Sequence, residues 1–213
     1  MEEFDPNEIK KLYRPPDNSA GEDNGQVTII GGSSLFHGAP LLSVKVASRI
    51  VDMVFFASPE SSVGRVAEEM KSKLLSYIWV PWEDVENYIK KSDAVLIGPG
   101  FMRFKSESST EGERSNKNNK AGRKSHEITK TLLEKFPSKR WVIDAGSLQV
   151  MEPSWIPKNS ILTPNKKEFS ILFGEIAPEE AAKKYDCIIV YKGPTAQVCS
   201  PEKCIEVSGG NPG

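Results

Sequence analysis

No stretch of this chain approaches the ~20 consecutive apolar residues that a membrane-crossing helix needs. The N-terminus, Met1-Glu2-Glu3-Phe4-Asp5, is acidic, whereas a secretory leader starts basic and then turns apolar. An excess of charge of either sign is also missing. The 28 basic and 29 acidic side chains leave a formal net charge of −1, so electrostatics give no reason to expect nucleic acid or an anionic membrane as a partner. Cysteine is scarce and odd in number. Cys187, Cys199 and Cys204 are spaced by twelve and five residues, which fits no common zinc pattern. The plain reading is buried or half-buried thiols in a reducing compartment, with no metal site and no disulfide. These absences together point to a soluble, cytoplasmic protein.

A core, by contrast, is well provided for. The chain has 213 residues, of which 38% are hydrophobic, enough for one sizeable domain. Residues 1–25 are polar, contain Pro15-Pro16 and Gly21, and read as an extended N-terminal arm. The domain proper occupies 26–213. It opens with Val27-Thr28-Ile29-Ile30, a short buried strand closed by Gly31-Gly32. Pro40 then starts an apolar stretch through Val51 at helical spacing. Strand-like runs follow at Met53–Ala57, Tyr77–Val80, Ala94–Ile97, Trp141–Asp144, Ile161–Thr163 and Cys187–Tyr191. Helical faces intervene, such as Val63, Val66, Ala67, Met70 and Leu74, or Ile128, Leu132, Leu133 and Phe136. Gln197–Ser200 and Cys204–Val207 read as a terminal hairpin. Strands apolar on both faces that alternate with helices indicate an α/β fold with a largely parallel sheet. The polar segment Phe104–Ser125 is expected to be a surface loop, with a role as a lid as the alternative.

In such sheets ligands gather at the carboxyl ends of the strands. Those ends here carry Gly31-Gly32, Gly98-Pro99-Gly100, Asp144-Ala145-Gly146, Thr163-Pro164-Asn165 and Lys192-Gly193. Each admits a structural and a functional reading. Gly31-Gly32 and Gly98-Pro99-Gly100 are turns that would also let a ligand approach backbone. His37 is either a substrate contact or a residue that caps or packs locally. Asp144 either caps the next turn or orients a magnesium-bound water. Asn165 with Glu168 has capping-box spacing, and Lys192 at a strand exit could neutralise phosphate. No Walker A motif occurs.

Singly these signals are weak, but their order is distinctive. Arg14-Pro15-Pro16, Asp23-Asn24-Gly25, Ile29-Ile30-Gly31-Gly32-Ser33 and His37-Gly38-Ala39-Pro40 come first. Ile97-Gly98-Pro99-Gly100, Val142-Ile143-Asp144-Ala145, Leu162–Phe169, Tyr191–Thr195 and Gly210-Asn211-Pro212-Gly213 follow. This series resembles the NAD(P)H-hydrate dehydratase family of the ribokinase-like superfamily, from about residue 12 to the end. The resemblance implies a ribokinase-like three-layer α/β/α sandwich with a largely parallel central sheet, its C-terminal part missing. It implies repair of damaged nicotinamide cofactor: the hydrate of NADH or NADPH (NADHX or NADPHX) is dehydrated at the expense of ADP or ATP. Mg²⁺ would offset the phosphate charge, and a separate hydrate epimerase would act in the same pathway. Homo-oligomerisation follows by family analogy.

Residue by residue, the resemblance assigns Ala39, Gly100, Asn165, Lys166, Lys167, Glu168 and Phe169 to the hydrate site. It assigns Lys192, Gly193, Pro194, Thr195, Ala196, Gly210 and Asn211 to the nucleotide. It names no metal ligand and no catalytic residue, because the family's Gly-Thr-Gly-Asp motif, with its aspartate base, would fall beyond Gly213. Neither Asp144 nor Glu168 is expected to replace that base, so the chain as given is expected to be inactive or nearly so. The Phe104–Ser125 segment also looks longer than usual for the family. Two other readings stay open: a ribokinase-like kinase acting on a vitamin precursor or sugar, and a catalytically inactive binding protein.

Overall fold

The computed structural model describes residues 2–104 and 120–209. In chain order the strands are β1 (Glu2–Glu3), β2 (Gln26–Ile30), β3 (Met53–Ala57), β4 (Ile78–Val80), β5 (Ala94–Ile97), β6 (Arg140–Ile143), β7 (Ile161–Leu162), β8 (Ile188–Tyr191), β9 (Ala196–Cys199) and β10 (Cys204–Val207). The helices are α1 (Gly38–Ala47), α2 (Ser61–Met70), α3 (Val85–Lys91), α4 (Lys120–Lys135), α5 (Gly146–Val150), α6 (Lys166–Phe173) and α7 (Pro178–Tyr185). The strands form one sheet in the order β1-β10-β9-β8-β7-β6-β5-β2-β3-β4. From β8 to β4 every pairing is parallel, and β9 runs antiparallel to both its neighbours. This is the α/β architecture that the doubly apolar strands foretold.

The layers on the two faces are unequal. Val44 of α1 and Val63 and Ala67 of α2 pack on Ile29, Val54 and Phe56. Helices α3 to α7 pack on the other face, where Ile89, Leu133, Leu148, Leu172 and Ala182 meet Phe55, Val95, Trp141, Ile143 and Ile189. Beyond α1, the first face carries Leu96, Val142, Ile161 and Ile188 in register across β5 to β8. All four are half-buried, and α1 presents Leu42, Val46 and Ile50 beside them at 65%, 60% and 73% exposure. The result is an apolar groove of about 550 Å³ away from the strand ends.

Several local expectations are corrected. The first helix begins at Gly38 and stops at Ala47, with Ile50 in the turn that follows; a run that is apolar on every side gives no periodic end signal. Residues 120–125, expected in the polar loop, form the start of α4. Their small residues are what allow this, because Gly122 lies against Phe104 and Ser125 is buried with its hydroxyl donating to the Ala121 carbonyl. The remainder of that segment, 105–119, lies outside the described residues, as does the question of a lid. The arm is not wholly extended: a 3₁₀ turn forms at Pro6–Lys11, capped by the Asp5 side chain, and β1 pairs with β10.

Cysteine chemistry also departs from expectation. The hairpin places Cys199 directly opposite Cys204, and the two form a disulfide. Only Cys187 is a free thiol, and it is buried. Burial, aided by the neighbouring Asp186 carboxylate, pushes that thiol up to about 12. No helix among the described residues is long and apolar enough to cross a membrane.

Candidate functional site

Parallel pairing brings the carboxyl ends of β2, β5, β6, β7 and β8 to one edge of the molecule, and backbone hydrogen bonds lace the turns there together. Gly98 N–H donates to Ile30 O at 3.0 Å, Gly32 N–H to Pro99 O at 2.8 Å and Asp144 N–H to Ile97 O at 3.0 Å. Farther along, Thr163 N–H donates to Ile143 O at 3.1 Å and Lys192 N–H to Pro164 O at 2.8 Å. The glycines make this lacing feasible. A Cβ on Gly31 would lie 2.2 Å from Pro99 O. Gly98 sits at φ +112°, and a Cβ there would lie 2.0 Å from Asp144 O. The glycine-rich strand ends are therefore close-packed backbone, which is the structural reading of those motifs.

A cleft of about 380 Å³ opens on this edge. Ala39, Gly100 and Glu168, three residues the resemblance assigned to one site, line it together. His37, Arg103 and Gln149 line it as well. Glu168 is buried, with 5% exposure. Its Oε2 accepts from Asn165 N–H at 2.9 Å, and Asn165 Oδ1 accepts from Glu168 N–H at 3.0 Å, which completes the capping box. Its Oε1 accepts from Gln149 Nε2 at 3.2 Å. With both oxygens bonded, this carboxylate is a fixed wall rather than a mobile base.

The other assigned residues are arranged differently. The Phe169 ring is buried against Phe173 and Tyr191, in the core beneath the cleft. Lys166 and Lys167 are exposed in the first turn of α6. Asn165 and Lys192 are bridged backbone to backbone, so the start of α6 and the Lys192–Ala196 turn lie side by side. Asp144 does not cap α5, whose cap position is Ala145. Its Oδ1 instead accepts from Lys192 Nζ at 2.8 Å and from Thr163 Oγ1 at 2.7 Å. This ion pair fixes a cation above the ends of β6, β7 and β8. Gly210 and Asn211 lie outside the described residues.

Sequence reasoning missed Arg103 and Gln149. Gln149 rides on α5, a single helical turn too short to show periodicity. Arg103 follows Gly100 by three residues, and that proximity was the available signal. From spacing alone, His37 reads first as a residue that caps or packs locally and second as a substrate contact. It makes no side-chain cap to α1; its ring reaches across to α2, with Nε2 3.1 Å from Ser62 Oγ.

A family model described as NAD(P)H-hydrate dehydratase matches residues 27–213. The chain belongs to the NAD(P)H-hydrate dehydratase family. Among curated relatives, an ADP-dependent (S)-NAD(P)H-hydrate dehydratase of Nitrosopumilus maritimus is 29% identical, over 81% of this chain and 61% of its own length. A bifunctional NAD(P)H-hydrate repair enzyme of Hyperthermus butylicus is 28% identical, over 93% of this chain and 38% of its own length. The chain thus spans less than two thirds of the length of either relative. Among solved structures, a ribokinase-like superfamily protein from Enterococcus faecalis superposes with a TM-score of 0.76 at 16% identity, covering 100% of this chain and 73% of that one. The ADP/ATP-dependent NAD(P)H-hydrate dehydratase from Bacillus subtilis, co-crystallised with ATP/Mg²⁺ and soaked with CoA, gives a TM-score of 0.67 at 16% identity, covering 99% of this chain and 73% of that one. At these identities the structural likeness fixes the ribokinase-like fold. The family itself rests on the sequence match.

Proposed function

We propose that this NAD(P)H-hydrate dehydratase family member holds the hydrate of NADH or NADPH in the strand-end cleft, for dehydration driven by ADP or ATP. The observation that carries the reading is convergence: Ala39, Gly100 and Glu168, far apart in sequence, line one cleft. The adjoining Lys192 is a pinned cation suited to nucleotide phosphate. Hydroxide is a poor leaving group, so the hydrate hydroxyl needs activation, and phosphoryl transfer from a nucleotide supplies it.

Magnesium fits this site only in company. No group of three or more His, Cys, Asp or Glu able to hold a metal occurs among the described residues. Asp144 is a single carboxylate with one oxygen already engaged. One carboxylate plus nucleotide phosphates is an ordinary Mg²⁺ environment, so Asp144 would hold the ion and the ion would offset phosphate charge in the transfer. What the chain's own residues do is bind and orient. Glu168 holds the α6 end of the cleft rigid, and Lys192 faces the nucleotide side.

The test is recovery of NADH absorbance from its hydrate in the presence of ADP or ATP, with hydrate binding followed in parallel. Recovery with either nucleotide supports the reaction. Failure with both, together with no hydrate binding, overturns it in favour of another small-molecule kinase. Hydrate binding without turnover supports the site and matches the inactivity expected of the chain as given, an outcome that the binding-protein reading shares.

A further inference from the structure

His37 lines the cleft two residues from Ala39, and its ring is held by a polar chain that the family reading does not use. Ser62 Oγ donates to Glu60 Oε1 across a long 3.4 Å. With its own proton committed there, Ser62 Oγ offers a lone pair to the imidazole Nε2, 3.1 Å away. With the serine proton turned to the Glu60 carboxylate, which can only accept, the Nε2–H tautomer is the one assigned here, and in it Nδ1 is an acceptor. Nδ1 has no hydrogen-bond partner among the described residues. Glu60 is itself held, its N–H donating to Ser58 Oγ at 3.2 Å. The chain joins the end of β3 and the start of α2 to the N-terminus of α1, beside the cleft.

We propose that His37, oriented by Ser62 and Glu60, is a specificity-determining residue of the cleft whose Nδ1 accepts a hydrogen bond from the hydroxyl that distinguishes the hydrated nicotinamide ring from NADH itself. The proposal rests on the function proposed above. The physical ground is that an acceptor rejects a ligand lacking the matching donor, because the acceptor is then left unpaired. Among the cleft's other polar side chains, both oxygens of Glu168 are engaged, by Asn165 N–H and Gln149 Nε2, so His37 Nδ1 and the Gln149 amide oxygen are acceptors still available to a ligand. Ser62 acts through His37 and is a positioning residue.

The experiment is calorimetric titration of NADH hydrate and of NADH into the wild-type chain and into His37→Gln, His37→Asn and Ser62→Ala, with melting temperatures as a check on folding. Asparagine places an oxygen near the Nδ1 position, whereas glutamine retains only a group at the Nε2 position that faces Ser62. The wild type is expected to prefer the hydrate, His37→Gln to lose about tenfold of that preference, and His37→Asn to keep most of it. Ser62→Ala is expected to fall between. An unchanged preference in His37→Gln, or an equal loss in His37→Asn, overturns the assignment while leaving the site reading intact. No hydrate binding by the wild type removes both.

Discussion

Gly98→Ala probes the packing of the strand ends most sharply. The residue sits at φ +112°, a conformation whose cost for an L-residue is about 1–3 kcal/mol. The new methyl would also lie 2.0 Å from Asp144 O and 2.8 Å from Ser147 Cβ. Neither neighbour can simply rotate away. Asp144 O is backbone at the end of β6, and the Ser147 hydroxyl is held at 2.9 Å by Thr129 Oγ1 in the core. Forcing that turn aside adds about 1–3 kcal/mol of overpacking. The sum, roughly 2–6 kcal/mol, is a large part of a typical 5–15 kcal/mol stability. For a chain of this size each kcal/mol moves the melting temperature by about 2–4 °C, so circular dichroism should show a fall of roughly 5–20 °C. Gly174→Ala is the control: its φ is +74° but nothing lies within 4 Å of the added Cβ. It sits at ψ −135°, outside the left-handed helical region, and should cost only the local strain, about 1–3 kcal/mol, without the overpacking added at Gly98. Equal melting temperatures for the two variants would refute the argument that close backbone approach dictates glycine at the strand ends.

Three further outcomes follow from the structure. Asn165→Ala removes the capping-box acceptor for Glu168 N–H and should cost about 1 kcal/mol, read by urea denaturation, while Lys166→Ala at the exposed next position should be near neutral. Denatured but unreduced protein should titrate a single free thiol, Cys187; the Cys199→Ala/Cys204→Ala pair should then lower stability by about 2 kcal/mol, the chain-entropy value for so short a loop. Cys187 should resist alkylation until the protein unfolds, because burial holds its thiol protonated up to about 12. The folded thiol therefore binds its proton more tightly than the unfolded one. The stability linked to it is complete below the unfolded thiol's pKa and is lost as pH rises from there towards about 12. Cys187→Ala should flatten that alkaline loss.

How far the sequence exposes this molecule depends on the element. Strands β2, β3, β5 and β8 are short apolar runs between turn residues, and a parallel sheet buried on both faces leaves no other use for them. Helix α6 was legible from Asn165 and Glu168 alone, because a capping box is local chemistry. Helix α7 was not. Its buried face is Ala181 and Ala182, small residues that leave little hydrophobic period. The Cys199–Cys204 bond was legible in principle, since the expected hairpin sets those positions opposite one another, but free thiols in a reducing compartment had been preferred to a disulfide. At the site, Ala39, Gly100 and Glu168 were named through the resemblance and the fold brings them together. Gln149 and the Asp144–Lys192 ion pair depend on which strand ends become neighbours, and no local pattern encodes that order.

The central claim is that the cleft beside Ala39 and Gly100 is the hydrate site. Ala39 is exposed at its mouth, so Ala39→Trp should fill the opening without disturbing the core. Titration of NADH hydrate into the two proteins tests the claim directly. Saturable binding by the wild type, weakened at least about tenfold in a folded Ala39→Trp variant, is the result expected from loss of one tight contact region. Equal affinity in the two proteins, or no binding by the wild type, would contradict it.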